Sequence, residues 1–165
     1  MRFVAGCLVF AIIGAAYAAD LPRLDPAKGV IFPASQADNL LHQCSRDVLG
    51  KVDGSWVPTE EQIHALEVGL PAVLGRANGG HHAKLGDTFR QYVGISKSGR
   101  KVIYVNAFPH WIFEEEARDQ SFTHVAPRDW KRDAMVICDG GSDFFGVEFD
   151  PSTGGFSDFA FNGVG

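Results

Sequence analysis

The clearest periodic pattern along the chain is a hydrophobic stripe that follows Thr59. Its members recur three or four positions apart, as on one face of an amphipathic helix, at Ile63, Leu66, Leu70 and Val73. Thr59 and Gln62 form a capping box, in which each side chain can bond the other residue's backbone amide at a helix start. Gly69 and Pro71 are poor helix formers, so the sequence predicts a helix with a kink or break near Leu70.

Short runs rich in β-branched and aromatic residues predict strands in the second half of the chain. Four of them pair as hairpins across the turns 96–99 and 150–155; they cover residues 89–95, 101–106, 144–149 and 156–161. In the first run Phe89, Val93 and Ile95 share one face, which Gln91 interrupts. The continuous apolar run 134–138 predicts a further, buried strand.

The segments before the helix have weaker patterns. Residues 37–48 carry apolar side chains at helical spacing, which predicts a short helix with Cys44 on its buried face. Three prolines within 19–35 favour an extended arm, and the Asp-Gly pair at 53–54 marks residues 50–57 as a loop. One helix region followed by hairpins indicates the α+β class, with a single domain in which a twisted antiparallel sheet of about five strands packs on one main helix.

Residues 1–18 have the layout of a secretory signal peptide. Arg2 supplies the positive start, an apolar run extends from Val4 to Ala16, and residues 16–18 fit the small-x-small cleavage rule. A buried N-terminal helix is the alternative, although the run has no amphipathic period. The sequence therefore predicts export to the periplasm or beyond, and a mature single domain over residues 19–165.

Composition and charge narrow the possible partners. The chain has 165 residues, of which 45% are hydrophobic and 21% charged, and a formal net charge of -5, as expected of one folded domain. After residue 20 no apolar run approaches the ~18 residues that span a bilayer, so we expect no transmembrane segment after signal cleavage. The negative charge argues against non-specific binding to nucleic acid. We expect the partner to be a protein or a cell-envelope component.

The cysteines favour one disulfide. Cys7 leaves with the signal peptide, and Cys44 and Cys138 remain in an oxidising compartment, where two thiols most simply pair. A thiol nucleophile and a metal-ligand pair are the alternatives. A lone thiolate would be oxidised there, and the two sulfurs lack the CxxC spacing typical of zinc sites.

Several short motifs together resemble a group of small exported bacterial proteins with no established activity. They are QCSR at 43–46, WVPT at 56–59, RQYVG at 90–94, ICDGG at 137–141, FFGVEFD at 144–150 and FAFNG at 159–163. The resemblance covers most of the mature chain in patches and implies export, but it assigns no site. The small helix-plus-sheet layout is also similar to cystatin-like domains and periplasmic lysozyme inhibitors, at the level of the fold alone.

The stretch 108–132 is the strongest candidate for a binding segment. It joins two predicted strands over about 25 residues, and connections of that length are usually functional or disordered. Its aromatic content disfavours disorder, and tryptophan and arginine are enriched at interface hot spots. The candidate binding residues are His110, Trp111, Phe113, Arg128 and Trp130. The alternative, to which we give equal weight, is that the stretch packs its own aromatic rings on the sheet.

Six phenylalanines lie between Phe144 and Phe161. Phe145 and Phe149 share one strand face with Val147, and we expect this face to form the core over the helix. If the opposite face of the sheet were uncovered, it would be a binding surface.

Catalytic chemistry has weaker support. Scattered residues could build a small hydrolase site, namely His81, His82, His110 and Asp139, but no nucleotide-binding or hydrolase motif organises them. Neither the His-His pair nor the run from Asp139 to Asp143 has metal-site spacing, and we expect no cofactor. The favoured hypothesis is a non-catalytic binding protein, possible forms of which are an inhibitor or an immunity protein in the cell envelope; the alternative is a small periplasmic hydrolase.

Overall fold

The described secondary structure combines short strands and helices with one long helix. The computed structural model describes residues 24–44, 46, 50–77, 84–114 and 129–163. In chain order the elements are β1 (Gly29–Ile31), α1 (Ala37–Leu41), β2 (Gly54–Trp56), α2 (Glu60–Ala77), β3 (Thr88–Lys97), β4 (Arg100–Pro109), β5 (Phe145–Asp150) and β6 (Gly155–Phe161). The predicted signal peptide, residues 1–18, lies outside the described residues.

One six-stranded sheet organises the fold, with the order β1-β3-β4-β5-β6 and with β2 also paired to β3. β3 and β4 form the central hairpin with ten paired positions. Ser98 and Gly99 turn between them with φ of +50° and +78°, the left-handed conformation that a two-residue hairpin turn requires. Both predicted hairpins are therefore present, and the α+β single domain is confirmed.

The outer edge of β3 is shared by two short strands. β1 runs parallel to residues 90–92, and β2 runs antiparallel to residues 94–96. The loop predicted over 50–57 is therefore wrong at residues 54–56. The strand forms because Trp56 lies directly over Gly94, where a Cβ would approach the indole within 2.5 Å, and because its Nε1 donates to the Ile95 carbonyl at 3.0 Å.

The capping box starts α2 as the sequence predicts. The Thr59 amide donates to Gln62 Oε1 at 3.0 Å, and the Gln62 amide donates to Thr59 Oγ1 at 3.3 Å. Of the kink or break predicted near Leu70, the break is wrong, because the helix continues through Pro71 to Ala77. Its buried residues lie on both sides of the proline, and burying several such side chains at about 1.5–3 kcal/mol each outweighs the ~3 kcal/mol that proline costs.

The main core lies between α2 and one face of the sheet. The predicted phenylalanine face is part of it, since Phe145, Val147 and Phe149 are all buried there. Phe156, Phe159 and Phe161 pack against the same cluster and are partly buried. Phe156 lies so close to α2 that a Cβ on Gly69 would stand 2.7 Å from its ring.

The opposite face of the sheet is also covered. Phe32 and α1 pack on one half of it, where they bury Val93 and Ile95 of β3. The other half is covered by aromatic and aliphatic side chains from the two ends of the 108–132 stretch and from the segment that follows it. This second layer, rather than an open sheet face, holds the candidate site.

Two predicted elements of the second layer are different in the structure. The helix predicted over 37–48 ends at Leu41, because Gln43 turns back and its Nε2 donates to the free Leu40 carbonyl at 2.9 Å. Cys44 consequently lies exposed beyond the helix and not on its buried face. Residues 134–138 do not form a strand, although Met135 is 1% exposed. The backbone groups of Met135 form hydrogen bonds with side chains and not with another strand.

Candidate binding groove

A pair of buried amide side chains lies under the segment that returns from the 108–132 stretch. Gln91 on β3 and Asn106 on β4 are directly opposite each other, and they are 0% and 2% exposed. Asn106 Nδ2 donates to Gln91 Oε1 at 3.1 Å. Gln91, which interrupts the apolar face in the sequence, therefore belongs to a buried polar pair.

These two amides form hydrogen bonds with the backbone of the returning segment, as a neighbouring strand would do in a sheet. Gln91 Oε1 accepts from the Met135 amide at 3.0 Å, and Asn106 Nδ2 donates to the Met135 carbonyl at 2.8 Å. Gln91 Nε2 donates to the carbonyls of Trp130 and Asp133 at 2.6 and 2.7 Å. Because each such bond leaves a buried group unsatisfied if it is lost, the amides fix the path of the segment over the sheet.

An open polar groove lies between α1 and this segment. Its volume is about 540 Å³, within the usual range for ligand sites. Its lining residues are Gln36, Asn39, His42, Arg132, Asp133, Ala134 and Val136. The five polar side chains among them make no hydrogen bond or ion pair with any part of the chain that the structure describes, so their donors and acceptors are available to a partner.

The disulfide joins the two walls of the groove. Cys44 follows His42 by two residues, Cys138 follows Val136 by two, and their Cα atoms are 5.4 Å apart. Gln43 Nε2 reaches the Met135 carbonyl at 3.1 Å beside it. The predicted pairing of the two cysteines is thus confirmed, and it sets the spacing of the walls.

A buried arginine supports the same region. Arg46 is 8% exposed, and its Nη2 donates to Asn106 Oδ1 at 2.5 Å. Its Nε and Nη1 have no hydrogen-bond partner among the described residues, and burial lowers the pKa of this guanidinium. The arginine adds a positive charge beside Asn106, one of the two amides that bond Met135.

On the α2 side of the sheet, in contrast, the buried arginine pairs with a helix carboxylate. Arg90 Nε lies 2.9 Å from Glu67 Oε1, and the Tyr92 hydroxyl donates to the same oxygen at 2.6 Å. Arg90 Nη1 donates to Thr88 Oγ1 and to the carbonyls of Thr88 and Leu85. This network ties α2 to the sheet.

The predicted binding residues of the 108–132 stretch lie at its two ends, and Arg128 is outside the described residues. Trp130 stacks on Phe89 with 4.6 Å between ring centroids, and Phe113 packs against the same ring at 5.8 Å. Trp111 contacts Phe144 edge-on at 5.9 Å. The rings pack on the sheet and are partly buried, while their role in binding stays a prediction.

His110 is the exposed member of that set. Its side chain is 48% exposed, and its Nδ1 lies 3.0 Å from the Asp87 carbonyl. Of the residues considered for a hydrolase, His81 and His82 lie outside the described residues. Among the described residues, no hydrogen bond joins His110 to Asp139. No group of three potential metal ligands occurs in the described ranges either.

Most of the groove was not predictable from the sequence. Arg132 lies at the basic end of the 108–132 stretch, but Gln36, Asn39, His42 and Asp133 belong to no motif. A useful signal was the polar residue at a core-facing strand position, Gln91, because a buried amide requires a partner. Such a residue indicates that another segment crosses the sheet at that point.

Comparisons with known proteins add no family to this description. No family model, no curated protein and no solved structure matches the chain. Among the described helices, none has the length and apolar character needed to cross a membrane.

Proposed function

We propose that this protein is an exported, non-catalytic binding protein that contacts a protein or another cell-envelope component through the groove. Arg132, the last residue of the 108–132 stretch, lines the groove, so a partner seated in it would also touch that end of the stretch. Inhibition of an envelope-directed enzyme, or immunity against one, is one form that such a role takes.

The observation that carries the proposal is the convergence of five unbonded polar side chains on one groove. Polar side chains in folded proteins mostly find partners in the protein or in water, and the polar groups of a concave site fix the orientation of a bound partner. Among the residues that the structure describes, the lining contains no serine, threonine, cysteine or lysine. Binding therefore fits the groove better than covalent catalysis.

The compartment follows from two separate features. The layout of residues 1–18 is typical of a cleaved signal peptide. The Cys44–Cys138 disulfide is exposed at both ends, and an exposed disulfide persists in an oxidising compartment such as the periplasm. The same features fit the resemblance to small exported bacterial proteins.

Capture from a bacterial envelope extract tests the proposal. The mature protein is immobilised as wild type, Arg132→Ala, His42→Ala and Arg76→Ala. Arg76 is an exposed arginine on α2, on the other side of the sheet from the groove, and it is the matched control for Arg132. We expect wild type and Arg76→Ala to retain the same component and both groove variants to lose it.

The control variant decides how the result is read. If all four proteins retain the component equally, it binds elsewhere and the assignment of the groove is wrong. If none retains anything above the uncoated resin, the proposal of an envelope partner is wrong. Thermal unfolding of each variant confirms that a lost interaction is not a lost fold.

A further inference from the structure

One wall of the groove carries backbone groups that the fold does not use. Ala134 and Val136 both line the groove, and both are partly exposed. Their N–H and C=O groups make no hydrogen bond with the described residues. Residues 134–137 are neither helix nor turn, so these groups are not committed to local structure.

Met135 lies between them, and both its N–H and its C=O group form hydrogen bonds. Its amide donates to Gln91 Oε1, and its carbonyl accepts from Asn106 and Gln43. In an extended chain the N–H and C=O groups of successive residues point to opposite sides, as in a strand that pairs through alternate residues. The three residues therefore resemble a strand with one edge bonded to side-chain amides and the other edge free.

The second wall has side chains suited to a polypeptide. Gln36 and Asn39 each carry a carboxamide, which has both donors and an acceptor and so matches the peptide group. His42 stands beside them, and Arg132 and Asp133 lie at the start of the free edge. Such a wall satisfies a polar main chain and also contacts its charged side chains.

We propose that the groove binds an extended peptide segment of its partner, which pairs through its backbone with Ala134 and Val136. The proposal rests on the proposed binding function and names the chemistry of the partner: a linear polypeptide segment and not a glycan or a lipid. Binding of this kind draws affinity from main-chain hydrogen bonds and specificity from the flanking side chains.

A phage-displayed library of random twelve-residue peptides is the probe for the first experiment. Enriched peptides are synthesised and titrated against wild type, Val136→Ala and Val136→Pro. Proline removes the Val136 N–H, whereas alanine keeps the N–H and controls for removal of the valine side chain. We expect Val136→Pro to bind the peptides about fivefold to tenfold more weakly than Val136→Ala, as for one lost hydrogen bond.

A second measurement needs no variant, so it applies even if Val136→Pro fails to fold. Amide hydrogen exchange of the wild-type protein is followed by NMR with and without an enriched peptide. Exchange at Ala134 and Val136 should slow at least tenfold on binding, while Met135, already bonded, should change little. Peptides that bind without slowing either amide would overturn the proposal.

The two proposals fail in different ways. If the envelope component is retained by wild type and lost by Arg132→Ala, but the library yields no peptide that binds, the groove is a binding site and the peptide proposal is wrong. If peptides bind equally to wild type, Val136→Pro and Arg132→Ala, they bind elsewhere and the proposal is also wrong. Loss of both signals removes the binding function itself.

Discussion

The exposed disulfide offers the most direct quantitative test of the structure. Cys44 and Cys138 are separated by 94 positions, and both are exposed. Replacing both by serine therefore removes the cross-link without opening a cavity in the core. A closed loop of this length restricts the unfolded chain, and the chain-entropy relation gives about 4.7 kcal/mol at 25 °C. Residual structure in the unfolded state lowers that figure, so we expect a loss between about 3 and 4.7 kcal/mol.

Chemical denaturation of the oxidised mature protein and of the double serine variant measures the difference. A reductant should lower the free energy of unfolding of the wild type to that of the variant and leave the variant unchanged. The hydrogen bonds from Gln43 and Asn106 to Met135 remain in both proteins, so the variant should still fold. A loss below about 1 kcal/mol would show that the cross-link does not restrict the unfolded chain in this way.

The remaining predictions concern the core, the tyrosines and export. Gly69→Ala should lower the free energy of unfolding by about 1–3 kcal/mol, because its Cβ would meet the Phe156 ring at 2.7 Å. Gly75 lies in the same helix and has nothing within 4 Å of an added Cβ, so Gly75→Ala should raise the free energy of unfolding by about 0.5–1 kcal/mol in the same denaturation assay. Equal effects of the two substitutions would contradict the packing of Phe156 on the helix. Burial raises the pKa of Tyr92 and of Tyr104, and these are the tyrosines of residues 19–165. Their folded-state pKa values lie above the unfolded value of about 10, so the free energy of unfolding should fall as the pH rises above 10. Tyrosinate absorbance should therefore appear only when the protein unfolds, and tyrosinate in the folded protein at pH 10–11 would refute this. Intact mass of the exported protein should place its first residue at Ala19, and a chain that retains residues 1–18 would contradict the signal peptide.

Local patterns predicted much of the architecture correctly. The capping box and the apolar stripe located the start and the buried face of α2, because both depend only on residues within a few positions of each other. The two hairpins were recognisable for the same reason. The disulfide followed from counting cysteines in an exported chain.

Other features depended on contacts that are distant in the sequence. The strand at 54–56 forms because β3 has an unpaired edge and Gly94 leaves room for Trp56. Pro71 stays inside α2 because the helix is buried on both sides of it. The run 134–138 has the composition of a buried strand, but the amides of Gln91 and Asn106 bond its backbone instead.

The sequence by itself determined the fold class, the main helix, the hairpins and the cysteine pair, since local periodicity and pairing chemistry specify them. Only the tertiary structure decided that the second sheet face is covered and that a polar groove lies beside the disulfide. Its lining comes from α1 and from residues 132–136, which are about ninety positions apart in the chain. No local pattern reports such an arrangement, because burial, hydrogen bonding and side-chain amides position the two walls only after the chain has folded.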